Sequence, residues 1–174
     1  MRQTLLLALA LIAIAAPLHA ATPATADATP EITRGAITPQ AIGTPHTLRR
    51  IPEACTRIEG LFTGDAAAPY RVSTVRTSAN CQPRARFVDA AQARPSTATG
   101  WILNDVLRVP RADCPTQQAV VRAWRHPVDQ APTRDGQGQA RIYLDEAKRA
   151  AATGTMAAVP MFTAEMVVEG AGCG

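Results

Sequence analysis

The chain has 174 residues, with 18 Lys and Arg against 14 Asp and Glu, a formal charge of +4, and only 4% aromatic residues. Its few aromatics do not interleave with its arginines, so the stacking platforms of a nucleic-acid groove are missing and nucleic acid is excluded as the main partner. Four dispersed cysteines (Cys55, Cys81, Cys114 and Cys173) include no Cys-x-x-Cys pair, which excludes the usual zinc and redox motifs.

Residues 1–20 read as a signal peptide. Arg2 supplies the positive start, residues 5–16 are an unbroken apolar run, and Leu18-His19-Ala20 offers a small residue for cleavage. The run is about 12 residues, short of the roughly 20 that a membrane-spanning helix needs. No cysteine lies near the cut, so a lipid anchor is not expected. No later stretch is long and apolar enough to span a membrane. Export places the mature chain in the periplasm or outside the cell, where dispersed cysteines pair. Of the three possible pairings we favour Cys55 with Cys173 and Cys81 with Cys114, which ties the first strand to the last.

Residues 21–47 are mostly Ala, Thr and Pro, with Pro23, Pro30, Pro39 and Pro45 at intervals. Such a segment buries too little apolar surface to offset its conformational entropy, and reads as a disordered spacer. Ile32, Ile37 and Ile42 recur every five residues, which fits neither the helix nor the strand period.

The single folded domain is expected over residues 48–174. Short apolar or alternating runs broken by Pro, Gly, Asp and Asn predict strands. The first is 54–63, with Ile58, Gly60 and Phe62 on one face. A second spans 70–77, a third lies around Phe87-Val88, and 101–109 is the most apolar. Asn104-Asp105 sits in the middle of that run, either as a hairpin turn, which we favour, or as two polar residues within a continuing strand. Residues 119–125 follow, then a loop with Pro127, Pro132 and Gly136, a short strand at 141–144 and a brief helix at 145–152. Residues 161–169 alternate cleanly, with Phe162, Ala164, Met166 and Val168 on one face. The fold class is mainly β: a small disulfide-stapled β-sandwich or barrel of about seven strands, with at most one or two short helices.

Chemistry is sparse. His126 ends a strand and is a candidate general base, with Asp129 as its partner. Asp105 joins that list because a carboxylate inside an apolar strand is costly unless paired or used. Ser73, Ser78 and Ser96 lie in no nucleophile motif. Asp129 and Asp135 beside Gly136 and Gly138 lack the ligand pattern of a calcium loop, so no metal and no cofactor is expected. Trp101, Trp124 and Tyr143, with Arg108, Arg122 and Arg125, form a candidate binding face of the residue types that dominate interfaces. The expected function is a secreted or periplasmic non-enzymatic binding domain for a protein, a glycan or an anionic envelope component. The alternative is a small cell-envelope hydrolase using His126 with a nearby carboxylate. A third class, an inhibitor of cationic lytic enzymes, fits poorly with a positive chain.

Overall fold

Alternating apolar residues in short runs build seven strands among the residues that the computed structural model describes, which are 28–129, 136–137, 145, 148–149, 152–153 and 158–173. β1 (His46–Ile51), β2 (Thr56–Phe62) and β3 (Tyr70–Arg76) form an antiparallel three-stranded sheet in that order. β4 (Arg86–Phe87), β5 (Ile102–Arg111), β6 (Cys114–His126) and β7 (Met161–Glu169) form a second sheet, ordered β4-β7-β6-β5. The molecule is mainly β, with two sheets and two disulfides. A short helix, α1 (Ala90–Ala93), is capped by Asp89, whose side chain accepts a hydrogen bond from the Ala91 N–H. No ladder closes the two sheets into a barrel among the described residues, and no described helix is long and apolar enough to cross a membrane.

One core takes side chains from both sheets. Leu48, Ile51, Ile58, Phe62 and Tyr70 from the first meet Leu107, Val109, Val121 and Phe162 from the second. Ala164, Met166 and Val168 pack against it, on the face expected of β7. Tyr70 lies edge-on to Phe62 and covers Gly60, where any Cβ would collide with the phenol. A smaller cluster of Trp101, Leu103 and Trp124 sits on the other face of the second sheet, with Val88, Ala93, Val106 and Met161 around it.

Residues 28–45, expected as part of a disordered spacer, instead form a strap along the outer edge of β5. The N–H groups of Glu31, Ile32, Ile37 and Gln40 donate to the carbonyls of Leu103, Asn104, Arg108 and Pro110, and Ala112 N–H donates back to Gln40. The strap then crosses to the first sheet, where Gly43 N–H donates to Phe62, and it enters β1. Its prolines lack the N–H that a continuous ladder needs, so pairing is intermittent. Composition signalled the missing apolar surface correctly; the backbone bonds that compensate leave no mark on composition.

Two further expectations are corrected. Asn104-Asp105 is not a turn but lies inside β5, where a bulge between Leu103 and Asp105 absorbs the extra residue. The disulfides join Cys55 to Cys81 and Cys114 to Cys173. The first and last predicted strands, β2 and β7, lie in different sheets, so the favoured pairing has no geometry to support it. Each bridge instead fastens antiparallel neighbours: Thr56 faces Arg76 beside one, and Gln118 faces Glu169 beside the other. The expected signal peptide, the strand at 141–144 and most of the helix at 145–152 lie outside the described residues.

Candidate functional site

Two bulges bring the charged residues of the strapped side together. In β1 the register shifts between Thr47 and Arg49, so Leu48 and Arg49 both turn inward, and Arg49 pairs opposite the core residue Ile58. In β5 the bulge at Asn104 turns Asp105 onto the core face, where it is fully buried. Asp105 Oδ2 accepts hydrogen bonds from Arg34 Nε at 2.7 Å and from Arg49 Nη1. Asn104 Nδ2 donates to Glu31 Oε2 at 2.8 Å, and Arg125 forks onto both oxygens of the same carboxylate. That fork holds the Glu31 carboxyl below its usual range, against the opposing effect of partial burial. Asp105 Oδ1, Asn104 Oδ1 and Arg49 Nε are buried without a hydrogen-bond partner among the described residues. Three arginines and two carboxylates thus fasten the strap to β1, β5 and β6. Removing one partner of such a buried ion pair is costly, because the other charge is left uncompensated.

The candidate acid–base residues are not brought together. Opposed residues share a face of an antiparallel sheet, so His126, in step with Trp124, lies on the face away from Asp105 and its partner Ala123. His126 stacks edge-on against Trp101 at 5.2 Å, and its Nδ1 lies 2.9 Å from the Pro127 carbonyl. Asp129 is exposed and lines a depression of about 510 Å³ with Glu53, Arg84, Arg125, Pro127 and Phe162. Among the described residues no three His, Cys, Asp or Glu side chains group so as to hold a metal ion.

Nor do the candidate binding residues form an open face. Trp101 and Trp124 are 5% and 8% exposed, and Trp124 Nε1 donates to Glu165. Arg108 pairs with Glu169 at 3.0 Å, Arg122 lies 3.9 Å from the same carboxylate, and Tyr143 is outside the described residues.

The opposite side of the molecule is built differently. There β3 ends the first sheet and β4 ends the second. Two depressions of about 440 and 340 Å³ lie between them and share Thr74 and Phe87, making one groove. Residues 72–76 of β3 form one wall, and Phe87, Val88, Asp89 and Ala164 form much of the other. Cys55, held by its disulfide, lines one end. The sequence marked β3 as a strand, but edge position is a property of the sheet and has no signature within seven residues. The one available signal was Arg71 and Arg76 near the strand's ends, since charge is a common guard of exposed edges.

Comparison with protein-family models, with characterised proteins and with solved structures finds no match to this chain.

Proposed function

We propose that this protein is an exported, non-enzymatic binding domain that holds its partner in the groove between β3 and β4. The groove itself carries the reading: it runs between the end strands of two sheets, and a disulfide braces its wall. We read the sheets as the two layers of a β-sandwich, with the groove along its open side. Two disulfides suit an oxidising compartment, which agrees with a signal peptide over residues 1–20. An acid–base pair of His126 with Asp105 gains no support from side chains on opposite faces of one sheet.

The test is affinity capture from cell-envelope and culture-fluid extracts with the oxidised protein, beside a groove-filling Thr74→Arg variant. Thr74 is exposed and lines both halves of the groove. A partner retained by the parent and lost from the variant is expected. Equal retention by both proteins, or turnover of the captured molecule, overturns the reading.

A further inference from the structure

The bonds flanking the β2–β3 pair determine which way each backbone group of β3 points. Thr63 N–H donates to Pro69, and Thr77 N–H donates to Cys55. Hydrogen-bonded pairs alternate along an antiparallel ladder, so residues 71, 73 and 75 bond to β2. The N–H and C=O groups of Val72, Thr74 and Arg76 therefore point away from β2, into the groove side. Among the described residues, none of these backbone groups has a hydrogen-bond partner.

We infer that the groove takes an extended peptide segment of another protein, added to β3 as a fourth strand, with apolar and acidic side chains in alternation. This rests on the groove being the binding site. Strand addition is a recurring mode of peptide capture in which main-chain bonds supply affinity and alternate side chains supply specificity. Seven residues of β3 extend about 23 Å, enough for a segment of roughly six or seven residues.

The two sides of that added strand meet different surroundings. Inward side chains face Val72, Phe87 and Ala164, which pack against the core and favour apolar partners. Outward side chains continue the exposed face of the first sheet, which carries Arg50, Arg57 and Arg71. Glu59 is the one carboxylate there, and Arg57 holds it at 2.6 Å. Arg71 is exposed and has no ion-pair partner among the described residues, so an acidic residue opposite it completes the face. A second copy of this chain fits badly, since β3 contains two arginines and no carboxylate. Like charges across paired edges oppose association.

The probe is a fluorescent Val-Glu-Val-Glu-Val-Glu-Val peptide, compared with its Lys-for-Glu counterpart and with a copy N-methylated at alternate residues. Binding to the oxidised protein should favour the acidic peptide at least ten-fold and weaken with salt. N-methylation should cost at least ten-fold without altering the protein. Bound peptide should slow hydrogen exchange at the amides of Val72, Thr74 and Arg76. Thr74→Pro should abolish binding where Thr74→Val does not, and Arg71→Ala should erase the preference for acid.

Equal binding of the acidic and basic peptides overturns the charge assignment. No binding of any peptide, or binding indifferent to N-methylation, overturns strand addition. Concentration-dependent dimers that protect the same three amides make the partner a second copy and overturn this assignment. If Thr74→Arg blocks capture of an extract partner while Thr74→Pro leaves it intact, the groove reading stands and strand addition falls. If neither variant affects capture, the groove reading has failed as well.

Discussion

The two sides of this molecule meet the same difficulty and resolve it differently. On the β1–β5 side, the free edge of β5 is covered by the chain's own residues 28–45, through backbone bonds and an ion-pair network. On the β3–β4 side, the edge of β3 keeps its outward backbone groups unpaired, beside a groove. Unpaired edges invite association, and proteins ordinarily cover or charge them. One side is covered; the other is guarded only by Arg71 and Arg76. The strap therefore shows, within one chain, how a Pro-interrupted segment with one carboxylate, one arginine and several apolar residues sits on a sheet edge.

The largest expected effect breaks the covered side. Asp105→Ala leaves Arg49 largely buried without its carboxylate and releases Arg34, and should destabilise the fold by about 3–5 kcal/mol. Urea unfolding measures that loss, and the Ile32 amide should exchange faster. If the double variant Asp105→Leu/Arg49→Met recovers most of the stability, the network serves register more than stability.

Next is the open side's brace. Replacing Cys55 and Cys81 together with Ser frees a 26-residue separation, and the chain-entropy model gives a loss of about 3.5 kcal/mol. The unfolding midpoint should fall accordingly. Peptide binding should weaken as well, because Cys55 lines the groove.

A smaller effect comes from Glu31, whose side chain is about one-third exposed. Its folded pKa lies below the unfolded value, so its contribution is fully present above about pH 4.5 and is lost as pH falls through the lowered value. Solvent screening limits that contribution to about 1 kcal/mol or less. Strap amide protection, followed by hydrogen exchange, should show this acid step, and Glu31→Gln should remove it.

Of similar size is a matched pair of proline substitutions. Gln40→Pro removes an engaged strap N–H and should cost about 1 kcal/mol. Thr74→Pro removes an outward N–H and should cost less, although both positions are extended backbone. A reversal in thermal unfolding would contradict the assignment of covered and open edges.

Regular alternation was the legible part of this fold. Residues 161–169 were expected as a strand with Phe162, Ala164, Met166 and Val168 on one face, and β7 has those bounds and that inward face. What escaped reading follows from the bulges. In β1 the buried positions Leu48 and Ile51 are three apart, with Arg49 also turned inward, so no period of two survives. In β5 the bulge places two polar residues in succession at buried positions, which reads locally as a turn. The cost of burying Asp105 was foreseeable from its apolar neighbours. Its partners, 71 and 56 residues away in sequence, were not. The groove was least legible of all, since its walls are the ends of two sheets that meet only in the folded protein.

Both disulfides stay within a sheet, and this sets how the protein bears tension. Pulled by its ends, the oxidised chain carries force around two closed rings joined in series by the connection from Cys81 to Cys114. The strap, β1 and that connection feel the load, while β2, β3, β6 and β7 are shielded inside the rings. Reduction would release about 90 Å of hidden length from the first ring and about 200 Å from the second, at roughly 3.5 Å per residue. As an extensible tether, the molecule would yield at its strap first and keep the edge of β3 intact under load.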